Sequence, residues 1–427
     1  MTDDPRSETE PELPRQVHVS SQRRGAIDVA RVLALLVVVL GHLLLAVIDR
    51  HGGEVRGANL LALHPGWAAV AVLAPMPVFF AAAGWANATA TLAASAPRLR
   101  TLVGLGATVV CAWSAAVVAA RLFVGEPGVI GDGARIATQP LWFVAAYVPM
   151  AAMGRPLARL ARDHVLAVVV AGLAVLAVLD GARFGFNAPS WIAWPGFYLA
   201  WGTPWVVGAW WRSHHEEGAA DERRIGMRLA LLATLGCATL ILMFGYEPAL
   251  IDAVPGARSN TTPPTVFTAL AALAQVGLLM AVADGLDRAA ARWRRFWDRA
   301  GEVAVGVYAW HLTALALCAA AIAAGLPVPE RLTMSWWLTR PLWWAAVLAV
   351  TSGLVVLTAA GRAQLARRRR QSGEPATLRI KVAVPVAAAA GAAVGLRGPR
   401  GIAWAMGCSG LFVVAWLILR PSARTQP

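Results

Sequence analysis

Three side chains capable of acid-base or anion chemistry, Asp28, Arg31 and His42, lie inside one apolar run over residues 26–48. Each costs roughly 2.5 to 3.5 kcal/mol to place in hydrocarbon on insertion scales, so three in one span call for a function or a partner. On a helix, Arg31 and His42 are eleven positions apart, about 20° out of register and roughly 16 Å apart along the axis. Asp28, three residues before Arg31, shares that stripe. A seam of this kind offers proton transfer by an imidazole that titrates near neutrality and anion binding by a planar guanidinium. The Asp28 and Arg31 pair also has a structural reading, a salt bridge that fixes the helix at the membrane interface.

The elements that must carry this seam are set by composition. Over 427 residues the chain is 58% hydrophobic and 15% charged, with a mean hydropathy of +0.58, which excludes a soluble globular domain. The expected fold class is all-α: a polytopic membrane bundle of ten helices plus a C-terminal two-helix hairpin. Besides 26–48, spans are expected near 67–94, 102–124, 139–154, 165–179, 191–211, 226–245, 264–284, 301–324 and 341–360. The net charge of +14 does not imply nucleic acid, because the arginines sit in short loops between spans, where they set topology. Arg98 and Arg100, then Arg155 to Arg162, Arg212 to Arg228 and Arg288 to Arg299 alternate with sparsely charged loops, which puts the N-terminus inside. Residues 1–25, with prolines at 5, 11 and 14, read as a disordered cytoplasmic tail, 26–361 as the ten-helix domain, and 362–427 as a basic linker followed by the hairpin. Cys111, Cys237, Cys318 and Cys408 fall in separate apolar spans and read as small buried hydrophobes.

Four segments, taken together, resemble a family. RGAIDVARVLALLVVVLGH, with ten residues between Arg31 and His42, is similar to the first-helix signature of the family-3 membrane acyltransferases. PMPVFFAAAGWANA at 75–88, PLWFVAAYVPM at 140–150 and VYAWHLTAL at 307–315 resemble later segments of that family, over about 24–360. The resemblance implies a ten-helix bundle that moves an acyl group from a cytoplasmic acyl-CoA to a hydroxyl or amine of a sugar, glycolipid or other extracytoplasmic acceptor. It implies His42, Arg31 and Asp28 as catalytic residues, and His311, Tyr308, Trp142, Arg98 and Arg100 as substrate-binding residues. No metal and no bound cofactor are expected; the partners are acyl-CoA, a glycan or lipid-linked acceptor, and membrane lipids. The setting implied is a bacterial plasma membrane, with the oligomeric state left open. Where many members place serine before glycine in the second-helix segment, Ala83 precedes Gly84, so no hydroxyl is required there.

Acyl transfer from a thioester needs a base for the acceptor's proton, a charge-stabilising partner and a site for an anionic carrier. His42 near the outer end of its helix suits the first, and Arg31 near the inner end suits the donor. His311, mid-span, either lines the cavity or makes an interhelical hydrogen bond. His214 and His215, beside Glu216 and Glu217, read as a solvated loop in preference to a metal site. Asn87 and Gln275 read as helix-to-helix contacts, and most of the 19 tryptophans as interfacial belts, with Trp191 or Trp194 as possible sugar-stacking exceptions. The alternative reading from another class is a secondary transporter, against which the absence of half-to-half similarity counts.

Overall fold

The computed structural model describes residues 24–51, 54–64, 66–67, 73–126, 128–215, 219–252, 256, 258–367, 377–399 and 401–420. The expected tail lies outside the described residues except for its last two positions, as do 368–376 of the basic linker and Glu216 and Glu217.

The first described elements are α1 (Gly25–Leu45), an antiparallel hairpin of β1 (Ala46–His51) and β2 (Glu54–Asn59), and the short α2 (Leu60–Leu63). It continues through α3 (Met76–Asn87), α4 (Leu92–Phe123), α5 (Gly128–Thr138), α6 (Trp142–Ala152), α7 (Gly154–Asp180) and α8 (Gly196–His214). Then follow α9 (Ala219–Phe244), α10 (Val266–Arg292), α11 (Arg294–Ala323), α12 (Met334–Arg367), α13 (Thr377–Arg397) and α14 (Ile402–Ile418). Among the described residues eight helices are long and apolar enough to cross a membrane: α1, α4, α7 and α9 to α13. The protein is a multi-pass helical membrane bundle.

Two of the expected spans are half-length. The runs 67–94 and 139–154 contain α3 and α6, of 12 and 11 residues, about 18 and 17 Å long against about 30 Å of hydrocarbon. Prolines set these limits: Pro75 and Pro77 open α3, and Pro140 opens the 3-10 turn leading into α6. Short helices are tolerated at membrane depth only where protein surrounds them. Here α3 is pressed on α8, where a Cβ at Gly84 would collide with the Trp205 carbonyl and one at Gly208 with the Ala81 carbonyl. Backbone contact of this kind explains why the position after Ala83 must be glycine.

Helix α1 ends three residues earlier than the hydropathy suggests, because 46–59 pairs as a hairpin from Ala46 opposite Asn59 to His51 opposite Glu54. Buried Asp49 of β1 meets Arg331 at 3.5 Å, which ties this hairpin to the segment before α12. Helix α4 starts at Leu92, with the Thr91 hydroxyl accepting from the Ala94 amide as an N-cap, so Arg98 and Arg100 are helical and not in a loop. The C-terminal hairpin of α13 and α14 packs into the bundle: Phe412, Cys408, Ile380 and Val394 share one core with Phe80, Leu99 and Val144. The domain read as ending at 361 thus has no packing boundary there.

The segments carrying most arginine meet at one end of the bundle. Arg24 donates to Glu222 at the start of α9 and to Asp287 near the end of α10, so the starts of α1 and α9 and the end of α10 share one face. The β-hairpin marks the opposite end.

Candidate active site

Asp28, Arg31, Leu35, Val38 and His42 fall on one stripe of α1, by the helical period alone. The first four line a cavity of about 400 Å³. Its other walls are Pro75, Met76 and Phe79 from the start of α3, Leu102 of α4, Phe143 of α6, and a face of α11 carrying Asp298, Glu302, Val305 and Tyr308. The half-length α3 and α6 thus bring their aromatic rings to the cavity, Phe79 edge-on to Phe143 at 4.9 Å between centroids. Asp28 and Arg31 form an i,i+3 ion pair at 3.9 Å, with Arg31 half-buried.

One turn beyond the cavity-lining Val38 on α1 and one turn beyond Tyr308 on α11, two histidines meet. His42 Nδ1 lies 2.9 Å from His311 Nε2, and the rings are 23° from parallel with centroids 5.0 Å apart. His311 is fully buried, and its Nδ1 lies 2.7 Å from the Tyr308 carbonyl oxygen. A carbonyl only accepts, so His311 Nδ1 carries a proton and donates to it. A neutral His311 then presents a lone pair at Nε2, which accepts the proton of His42 Nδ1. This chain leaves His42 Nε2 with a lone pair, and it fixes the tautomer of an imidazole through its partner. Tyr308 is itself held by its hydroxyl donating to the Pro140 carbonyl at 3.0 Å.

The inner end of α1 is held by a different device. Arg24 donates through both Nη atoms to Glu222 at 2.6 and 2.7 Å and through Nε to Asp287 at 3.0 Å. The other Asp287 oxygen accepts from the Ala26 amide at 2.6 Å, capping the first turn, and the Trp211 indole donates to Glu222. The Arg24 guanidinium also lies over the Trp211 and Trp85 rings, 5.0 and 5.5 Å from their centroids. Burial works against its charge, but the bonds to Glu222 and Asp287 outweigh that and raise its pKa above the ordinary arginine value. Sequence reading missed this cluster, and also Asp298 and Glu302. The latter were signalled by their spacing, since 298, 302, 305 and 308 recur at intervals of four, three and three.

Of the residues expected at the site, Asp28, Arg31 and Tyr308 line the cavity, and His42 and His311 pair one turn beyond it without lining it. Trp142 does not line it: its ring is tilted against Trp201 at 5.2 Å and edge-on to Phe197, while the adjacent Phe143 takes the cavity position. Arg98 is exposed one turn before the cavity-lining Leu102, on the same side of α4, and Arg100 is half-buried nearby. His214 and His215 end α8, donating to the carbonyls of Trp210 and Arg212. Among the described residues no group of three or more potential ligands gathers for a metal. Gln275 of α10 donates to the Ala74 carbonyl at 3.2 Å, in the non-helical segment before α3, and Asn87 donates within α3 to Ala83.

A helical membrane protein with a histidine pair one turn beyond a cavity lined by charged and aromatic side chains has the makings of a membrane-embedded enzyme. Residues 24–360 match the family model described as an acyltransferase domain, that of the family-3 acyltransferases. The match covers well over half of the chain, which belongs to this family, and the protein is a membrane acyltransferase. Searches of curated proteins and of solved structures find no match to the chain.

Proposed function

We propose that the enzyme moves an acyl group from acyl-CoA, bound from the Arg24 end, to a hydroxyl or amine of a sugar, glycolipid or other extracytoplasmic acceptor reaching His42 from the hairpin end. The observation that carries this reading is the bond between His42 Nδ1 and His311 Nε2, which leaves His42 Nε2 as the base. In the reaction Nε2 takes the acceptor's proton as the acceptor oxygen or nitrogen attacks the thioester carbonyl. The C–S bond then breaks, and the proton passes from His42 to the departing thiolate. His311 steadies the imidazolium formed in between by accepting from Nδ1. Arg31 and Asp28, roughly 16 and 21 Å below by helical rise, take the polar carrier arm within the cavity, and Arg98 and Arg100 take its phosphates at the mouth. The arginine-rich end then faces the cytoplasm of a bacterial cell, as charge asymmetry favours.

Purified protein in nonionic detergent, given a panel of acyl-CoA chain lengths and envelope membranes from a deletion strain, tests this reading. Release of free thiol together with appearance of one fixed acyl mass on an envelope lipid or glycan is expected. Thiol release no greater than that of heat-killed protein, with no acylated product for any chain length, contradicts it.

A further inference from the structure

A second guanidinium in the bundle is buried in the opposite way to Arg24. Arg340, six residues into α12, is only 4% exposed, yet among the described residues no carboxylate lies within 4.0 Å of it. Among the described residues its hydrogen bond runs from Nε to the Trp336 carbonyl of its own helix, at a long 3.3 Å. The Trp336 ring lies 4.0 Å from the guanidinium carbon and the Trp343 ring 5.5 Å. Cation-π contacts of this kind position the charge but leave its planar donor fork unused.

The surroundings are deficient in acceptors. The indole N–H groups of Trp336, Trp343 and Trp344 are buried and, among the described residues, have no hydrogen-bond partner. Guanidinium and indole N–H are donors only, so whatever completes this cluster must be an acceptor, and one that carries negative charge to balance the buried cation. The cluster also has a definite place. Trp336 packs with Val47 and Leu60, and Trp343 with Leu43 and Leu312, so Arg340 sits beside the part of α1 and β1 that immediately follows His42. A tryptophan-rich position near a helix end is where lipid headgroups lie.

We propose that Arg340, with the indole donors around it, binds the phosphate of an amphiphile at the hairpin end of the bundle. A bidentate fork suits a tetrahedral oxyanion, to which an unpaired indole N–H can add a further bond. That phosphate belongs either to a lipid-linked acceptor or to a bilayer phospholipid. The site goes beyond the acyl-transfer reading, and binding needs no turnover, so the two stand or fall separately.

The test uses the full chain in nonionic detergent, with binding followed by native mass spectrometry and tryptophan fluorescence. The probes are farnesyl phosphate and dioctanoyl phosphatidylglycerol, each against its phosphate-free counterpart, farnesol and dioctanoylglycerol. Wild-type protein is expected to bind at least one phosphate probe about 10-fold or more tighter than its counterpart, the scale of a charge-assisted hydrogen bond. Arg340→Gln should abolish that preference, and Arg340→Lys, which keeps the charge but not the fork, should retain part of it. If Arg340→Gln does not run as a monodisperse species, Trp343→Phe substitutes for it, keeping an aromatic ring and removing the donor, with a several-fold weaker preference expected. A tighter farnesyl phosphate assigns the site to a lipid-linked acceptor and a tighter phosphatidylglycerol to the bilayer. No phosphate preference in the wild type, or an unchanged one in the folded variants, overturns the proposal.

Discussion

At one end of α1, Arg24 gives all three of its guanidinium nitrogens to Glu222 and Asp287, and those carboxylates accept further from Trp211 and the Ala26 amide. At the other end, the hydrogen bonds run in one direction only, from His42 to His311 to the Tyr308 carbonyl. The first arrangement is closed: each guanidinium nitrogen has a carboxylate acceptor, and removing Glu222 takes from the buried Arg24 its bidentate partner. The second is open, because orientation of the imidazole through Nδ1 frees Nε2. A polar group buried at the same helix can thus serve stability or chemistry, and the distinction lies in whether its last donor or acceptor is used.

Breaking the open end should give the largest change in activity and little change in fold. His42→Ala is expected to lower turnover about 10²- to 10⁴-fold, measured as thiol release from acyl-CoA, while the variant remains monodisperse and inserted. Breaking the closed end should do the reverse. Glu222→Ala strips Arg24 of its bidentate partner and should cost about 3 to 5 kcal/mol of stability, read as a lower unfolding temperature in detergent. The matched Glu222→Gln keeps an acceptor oxygen and should lose less. A smaller effect is expected between the two ends. Arg31→Lys preserves the charge beside Asp28 but not the planar fork, so the apparent KM for acyl-CoA should rise several-fold, roughly one lost hydrogen bond in value, with kcat nearly unchanged. Replacing His214 and His215 together by alanine should be nearly silent in turnover, since neither lines the cavity and their contacts are to the Trp210 and Arg212 carbonyls and to the Trp210 and Trp85 rings.

The stripe of α1 was legible in sequence because charge in an apolar run is costly and the helical period fixes which residues share a face. The arginine pattern likewise grouped the segments that Arg24, Glu222 and Asp287 bring to one end. Other features had no local signal. Glu222 and Asp287 lie 198 and 263 positions from Arg24, and nothing in a first-turn acid of α9 names its partner. Hydropathy counted 67–94 and 139–154 as spans because it averages over prolines that shorten α3 and α6. It also carried α1 through Ala46 to Ile48, where apolar residues suit a strand as well as a helix. Arg340 went unnoticed because the tenth span was taken to begin just after it, although α12 starts at Met334. The pairing of His42 with His311 could be anticipated only as one option for a mid-span histidine, since interhelical partners are chosen by packing and not by spacing.

The central claim is that His42 and His311 act as one catalytic unit. A double-mutant cycle on turnover tests it directly, with His42→Ala, His311→Ala and the double variant compared in the same detergent and at the same acyl-CoA concentration. Groups that act together are strongly non-additive, so the double variant should be no slower than His42→Ala within about 2-fold. Independent losses that multiply in the double variant, or near-wild-type turnover in folded His42→Ala, would contradict the account.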